Sequence, residues 1–189
     1  MRVVIAALLA AAIAGCSSTQ TLQCGDASAS RPPRNFGAVI EQRLYRGGQP
    51  ASCGELEYLK SIGVRSILKL NDRGSPIDAE EKARAAAIGM TVRSFAFDAA
   101  TIGETSTCSD VGEALRFLAD ERNWPLYVHC TAGKDRTGYM VGLYERLILK
   151  KSTEEILAEL HRFGHRGARS LAMPQIDREL TRSDPDCRN

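Results

Sequence analysis

The sequence predicts an α/β domain in which a largely parallel central sheet of four to five strands is flanked by helices. Three observations predict this fold. Short apolar or β-branched runs alternate with longer helical patterns from residue 44 onwards. The run at 125–129 is mostly apolar, which is typical of a strand buried on both faces. The chain has 189 residues, 43% of them hydrophobic, which is enough for one domain with its own core.

The first half of the alternation contains three strands and two helices. Strands are predicted at 44–46, 64–70 and 91–97, and helices at 53–61 and 78–88. Ser52 is a suitable N-cap for the first helix, and Gly63 and Gly89 follow the two helices as stop signals.

The second half continues with a helix that begins at Cys108 or Ser109 and reaches about residue 121. The remaining predictions are a strand at 125–129 and helices at 137–150, 152–161 and 170–181. Ser152-Thr153-Glu154-Glu155 has the composition of a helix start. Strands that alternate with helices favour parallel pairing across the sheet.

The N-terminus indicates export and a lipid anchor. Residues 1–15 begin with a positive charge and continue as an apolar run shorter than the ~20 residues that span a bilayer, which is typical of a signal peptide. The run ends in Ile13-Ala14-Gly15-Cys16, which resembles the lipobox of bacterial lipoproteins. The resemblance implies lipidation of Cys16 and attachment to the cell envelope, at the periplasmic side of the outer membrane because Ser17 rather than Asp follows. An ordinary secretory signal is the alternative.

Residues 16–40 are predicted to be a tether, and 41–185 the folded domain.

Four of the six cysteines are candidates for disulfides outside the cytoplasm. Once Cys16 and the loop cysteine Cys130 are set aside, they are Cys24, Cys53, Cys108 and Cys187. Four cysteines allow three pairings, one of which joins Cys24 to Cys187 and Cys53 to Cys108. Free or buried thiols are the alternative.

The charge balance excludes a nucleic-acid-binding protein, which usually carries a basic face. The formal net charge is only +2, so affinity for anions must come from a local site. We also predict no metal and no organic cofactor.

That local site is predicted at 130–136, where a strand ends in Cys130 and a helix begins beyond Arg136. Backbone N–H groups of such a curled loop, together with a helix N-terminus, form a concavity for a tetrahedral anion. Gly133 relieves the steric limits on the curl, and the planar guanidinium of Arg136 can hold two phosphate oxygens. The predicted phosphate-binding residues are Thr131, Ala132, Gly133, Lys134, Asp135 and Arg136.

The same positive field favours the thiolate form of Cys130, which makes this cysteine the predicted nucleophile. Thr137 is predicted to stabilise the thiolate, and His129 to position the loop by hydrogen bonding. Arg46 and Arg73 follow strands and either support the pocket or are surface charges.

The stretch from His129 to Thr137 resembles the signature of the cysteine-dependent protein tyrosine phosphatase superfamily, His-Cys, five residues, Arg, then Ser or Thr. Its Ala-Gly-Lys-x-Arg-Thr-Gly ending is most similar to dual-specificity and atypical bacterial phosphatases. The segment 45–50, Tyr-Arg-Gly-Gly-Gln-Pro, is similar to the opening of small atypical dual-specificity phosphatases of plants and fungi. The resemblance covers about residues 42–150 and implies a dual-specificity-phosphatase-like fold.

The superfamily also implies a general acid, an aspartate on a separate upstream loop. Asp98 fits because it directly follows the predicted strand at 91–97. Asp110 and the loop residue Asp135 are rivals, although Asp110 falls in the first turn of a predicted helix, where acidic residues are favoured anyway.

The predicted function is therefore hydrolysis of phosphate monoesters, with a phosphorylated protein or small molecule as substrate. Inositol phosphates or phosphoinositides are the alternative class, which Lys134 supports in part. A rhodanese-like sulfurtransferase or arsenate reductase and a non-catalytic phosphate-binding lipoprotein are less consistent with the loop. The basic run from 161 to 169 is interpreted as a solvated helix end.

Overall fold

The structure, a computed structural model, describes residues 30–96 and 105–167, and for 105–108 it describes only the backbone. Five strands and five α-helices follow one another along the described chain. They are β1 (Gly37–Ile40), β2 (Leu44–Gly48), α1 (Cys53–Ser61), β3 (Ser66–Lys69), α2 (Pro76–Ala87), β4 (Thr91–Ser94), α3 (Thr105–Ala119), β5 (Leu126–Cys130), α4 (Asp135–Leu147) and α5 (Thr153–Arg162).

The sheet has the order β1-β2-β5-β3-β4, and every pair except β1–β2 is parallel. The predicted α/β class with a mostly parallel sheet of four to five strands is confirmed. β5 is the central strand, and its carboxyl end lies beside that of β2, where Gly48 is opposite Cys130. Loops at this edge of a parallel sheet commonly carry ligand sites.

Helices cover both faces of the sheet. One core lies between the sheet and α3, α4 and α5, and a second lies between the sheet and α1 and α2. Side chains alternate along β5, so Val128 and Cys130 face the first core whereas Tyr127 faces the second. His129 therefore faces away from the side of the sheet to which Cys130 points.

Several predicted boundaries are wrong for local reasons. α2 begins at Pro76 because Ser75 and Asp78 form a capping box, and α4 begins at Asp135. β4 ends at Ser94, and an isolated bridge joins Asn71 to Ala96 beyond it. α3 begins at Thr105, before the predicted cysteine or serine.

The predicted tether also extends too far. Residues 37–40 form β1, which pairs with β2 in an antiparallel arrangement. The signal peptide, the lipidation site Cys16 and the predicted helix at 170–181 lie outside the described residues. Among the helices of the described ranges, none has both the length and the apolar character needed to cross a bilayer.

Two cysteines can be followed in the structure. Cys53, the first residue of α1, is disulfide-bonded, and Cys130 is a free, buried thiol. Cys24, Cys187 and the side chain of Cys108 lie outside the described atoms, so the pairing stays a prediction.

Candidate active site

The candidate site is the loop between β5 and α4. Cys130 is the last residue of β5 and is only 4% exposed, and the first turn of α4 contains Asp135 and Arg136. The first hydrogen bond of the helix runs from Gly138 N to Lys134 O and is 2.8 Å long. The predicted residues from Cys130 to Thr137 are thus brought together at the carboxyl edge of the central strand and the N-terminus of a 13-residue helix.

The carbonyl groups of Thr131, Ala132 and Gly133 face out of the loop, because each accepts a hydrogen bond from a donor outside it. Thr131 O accepts from Arg34 Nη2 (2.5 Å) and from Gln49 N (3.3 Å). Asn35 Nδ2 donates to Ala132 O (3.4 Å) and to Gly133 O (3.0 Å). Gly133 O also accepts from Arg46 Nη2 (3.2 Å). A trans peptide group points its N–H opposite its C=O. The three N–H groups that follow these carbonyls therefore point into the concavity, where they can bind an anion.

Gly133 fixes the curvature of this loop. Its φ is +72°, a region that residues with a side chain rarely adopt. A Cβ at this position would also lie 2.3 Å from the carbonyl carbon of Gly47 and 2.6 Å from Gly48 N. The loop thus packs directly against the backbone of β2, and only glycine fits there.

Arg136 lies at the rim with Thr131. Arg136 Nη2 is 3.4 Å from Thr131 Oγ1, which also accepts a hydrogen bond of 3.1 Å from Asn71 Nδ2. Beside them opens a cavity of about 390 Å³, which Arg73 and Ile77 also line. An anion in the loop would therefore lie next to this cavity, and Arg136 lines the cavity where it meets the loop.

A buried ionic network lies behind the loop, on the α2 side of the sheet. His129 Nε2 is 2.8 Å from Glu81 Oε1, and Lys69 Nζ is 2.6 Å from Glu81 Oε2 and 2.9 Å from Asp78 Oδ1. Burial alone would raise the pKa of Glu81, but the charges and hydrogen bonds of His129 and Lys69 hold it below its usual range. His129 thus contacts Glu81 of α2, and its positioning of the loop stays a prediction.

Thr137 is fully buried, and its hydroxyl lies 3.5 Å from Gly47 O. It contributes to the packing of α4 against β2 at the loop.

Asp135 is paired with His165, whose Nδ1 is 2.6 Å from Asp135 Oδ1. Asp98, the predicted general acid, lies outside the described residues.

The sequence left the role of Arg46 open, and the structure places it inside the protein. It is fully buried, its guanidinium lies 3.9 Å from the ring centre of Phe163, and Nη1 pairs with Glu159 at 3.3 Å. Burial lowers the pKa of Arg46, and Glu159 opposes that change.

Sequence reasoning missed Asn35, which lies in the predicted tether, and Asn71, which follows the predicted strand at 64–70; both contact the loop. Asn35 has a φ of +55°, which an asparagine tolerates better than most residues and which turns the chain toward the loop. The residue type alone is common in loops, so the sequence held no signal that could have found it.

An α/β domain whose central strand ends in a Cys-x5-Arg loop defines the fold class of cysteine-based, tyrosine-phosphatase-like proteins. Comparison with known proteins agrees, since a model described as "Tyrosine phosphatase family" matches residues 31–183. The chain belongs to this tyrosine phosphatase family.

Curated relatives include both inositol and tyrosine phosphatases. Inositol diphosphatase DSP3 of Arabidopsis thaliana is 34% identical over 117 residues, which cover 61% of this chain and 56% of the relative. Inositol diphosphatase DSP4 of the same plant is 32% identical over 139 residues, 73% of this chain and 68% of the relative. The putative tyrosine-protein phosphatase OCA1 of Debaryomyces hansenii is 26% identical over 162 residues, 82% of this chain and 81% of the relative. The chain spans only about half the length of several such relatives.

Solved structures support the fold. The core catalytic domain of the PP-IP phosphatase SIW14 from S. cerevisiae has a TM-score of 0.66 and 22% identity, over 82% of this chain and 89% of that one. TpbA of P. aeruginosa has a TM-score of 0.63 and 22% identity, with the same coverage.

Proposed function

We propose that this protein hydrolyses phosphate monoesters through a phosphocysteine intermediate on Cys130, as a phosphatase of the protein tyrosine or dual-specificity type. The observation that carries the proposal is the outward direction of three consecutive carbonyl groups beside a buried cysteine. It leaves the N–H groups of the loop directed into the concavity at the start of α4, where Arg136 lies at the rim. Such preorganised donors bind a phosphate group and stabilise charge that develops on it during transfer.

In the first step, the thiolate of Cys130 attacks phosphorus, an S–P bond forms and the P–O bond to the leaving group breaks. The leaving oxygen takes a proton from a carboxylic acid, the role that we assign to Asp98 and for which Asp135 is the rival. In the second step, water attacks phosphorus, gives its proton to the same carboxylate and releases inorganic phosphate as the S–P bond breaks.

The cavity beside the loop supports a phosphorylated protein side chain as substrate. Ile77 is 67% exposed at its rim, so it offers apolar surface to a ring or an alkyl chain that carries the phosphate. Arg73 is also exposed there and can pair with an acidic residue of a peptide.

Inositol phosphates remain the alternative substrate class. The similarity to inositol diphosphatases from plants supports this class. The exposed Lys134 adds a cation at the loop that could meet a further phosphate group.

The test is a substrate panel of phosphotyrosine peptides, phosphoserine peptides, inositol hexakisphosphate and a diphosphoinositol phosphate. Wild type is compared with Cys130→Ser, Asp98→Asn and Asp135→Asn. Cys130→Ser is expected to abolish turnover but to retain binding of tungstate; residual turnover of more than about 1% of wild type would contradict the covalent mechanism. The aspartate whose replacement slows esters with poor leaving groups more than p-nitrophenyl phosphate is the general acid.

We also propose that the protein is anchored to the cell envelope through a lipid on Cys16. The motif at 13–16 supports this, as do the four remaining cysteines suited to an oxidising compartment. Metabolic labelling with an alkyne fatty acid should mark the wild type and not Cys16→Ala, and equal labelling of both would refute the anchor.

A further inference from the structure

The turn that follows α5 lies directly against the phosphate-binding loop. Asn35 Nδ2 donates both to Gly133 O (3.0 Å) and to Phe163 O (2.9 Å), so one side chain ties the two segments together. The guanidinium of Arg46 lies over the ring of Phe163, 3.9 Å from the ring centre, and its Nη2 donates to Gly133 O (3.2 Å).

The backbone of this turn fixes the place of His165. Gly164 N donates to His161 O (2.9 Å), and His165 N donates to Leu160 O (3.1 Å), which is a Schellman-type helix ending. Gly164 has a φ of +85°, and a Cβ there would lie 3.2 Å from Lys134 Cε. The turn therefore accommodates the Lys134 side chain and presents His165 to the start of α4.

The side chain of His165 is fully buried and contacts the one acidic residue of the loop. Its Nδ1 is 2.6 Å from Asp135 Oδ1, and 21% of the Asp135 side chain is exposed. The ring of His161 stacks on that of His165, with 6.4 Å between ring centres and 11° between the planes.

An acidic residue inside an anion-binding loop is unfavourable unless its charge is offset. Two like charges a few Å apart in a partly buried site repel each other. The free carboxylate of Asp135 would weaken the binding of a phosphate dianion. A hydrogen bond from Nδ1–H of His165 draws the carboxylate toward α5 and delocalises its charge.

We propose that His165 is a positioning residue that holds the Asp135 carboxylate at the side of the loop, so that the loop accepts a phosphate dianion despite its acidic member. This inference rests on the proposed function. It makes His165 the partner of Asp135 whichever of Asp98 and Asp135 is the general acid.

The test is a double-mutant cycle read by tungstate affinity, which needs no turnover. His165→Leu removes the donor, and we expect it to weaken tungstate binding about tenfold when Asp135 is present. In an Asp135→Asn background, the same change is expected to weaken binding less than about twofold, because no carboxylate remains to be held. Equal losses in both backgrounds would show a merely structural role and overturn the inference.

His165→Asn is the matched control, because its amide nitrogen can take the place of Nδ1 and donate to Asp135. We expect it to stay within about threefold of wild type. If His165→Leu does not fold, His165→Gln replaces it in the cycle, since its longer side chain moves the amide nitrogen away from the Nδ1 position. Wild type that neither binds tungstate nor hydrolyses esters would refute the proposed function, whereas an active wild type without coupling in the cycle would refute only the role of His165.

Discussion

Gly133 lies against the backbone of Gly47 so closely that a single added carbon would be 2.3 Å from the Gly47 carbonyl carbon. Gly133 belongs to the loop that binds phosphate in our proposal, and Gly47 belongs to the neighbouring strand β2. The curvature of the loop is therefore set from outside, by a strand far away in sequence.

Gly133→Ala should disrupt the loop, because alanine must adopt a φ of +72° and also displace β2. We expect loss of tungstate binding and a decrease of more than about 2 kcal/mol in the free energy of unfolding, measured by urea denaturation. Gly74→Ala is the matched control: its φ is +70°, but nothing lies within 4 Å of the added carbon. This variant should lose only about 1 kcal/mol in the free energy of unfolding and keep its tungstate affinity. Equal effects of the two changes would disprove the role of the close contact.

Lys69→Met should destabilise the protein by about 3–5 kcal/mol, because it removes the buried lysine that pairs with both carboxylates, Asp78 and Glu81. Thermal and urea unfolding measure this loss. Lys82→Met is the comparison, since Lys82 pairs with Asp72 but is 43% exposed. Lys82→Met is expected to lower the free energy of unfolding by less than about 1 kcal/mol. A similar decrease for both lysine replacements would argue against the network.

Arg46→Lys should weaken tungstate binding roughly tenfold, although the charge is retained. A lysine has no planar fork, so it cannot contact Gly133 O and Glu159 while stacking on Phe163. Isothermal titration calorimetry measures the affinity. The same replacement at Arg43, which forms an exposed ion pair with Glu121, should leave the affinity unchanged; a loss there too would point to a general charge effect.

Stability should fall between about pH 5 and pH 7 because of Glu145. Burial raises the pKa of Glu145 to about 7; Lys151 opposes the rise and Glu159 adds to it. The folded-state pKa lies above the unfolded value near ~4.3, so the stabilising contribution of the bound proton is complete below about pH 4 and is lost as the pH rises through 7.

Glu145→Gln should remove this decrease in stability with rising pH. We expect the decrease in the wild type to amount to about 1–3 kcal/mol in the free energy of unfolding. Urea denaturation at half-unit steps of pH measures it. The exposed Glu154→Gln should keep the wild-type slope. A slope that persists in Glu145→Gln would assign the effect to another group.

The loop could be located from sequence because its requirements are local. A strand, a cysteine, a glycine, an arginine and a following helix stand in one stretch of chain, and their spacing alone brings them together. The α/β class was accessible for the same reason, since strands and helices alternate with clear patterns. The limits of β4 and the existence of β1 were not accessible from sequence. β1 has only four half-buried residues, and it is recognised as a strand only through its pairing with β2.

The sequence by itself determined the type of domain and the segment that binds phosphate in our proposal. Only the tertiary structure decided what holds that segment in shape, namely Asn35, Arg46 and Asn71 on its outer side, and what faces its acidic member, His165. The physical reason is that hydrogen bonds and ion pairs between segments 60 to 98 residues apart, such as those from Asn71 and Asn35 to the loop, leave no periodic pattern in the chain. Whether a given arginine or histidine is buried against the loop or lies in solvent depends on how the helices pack.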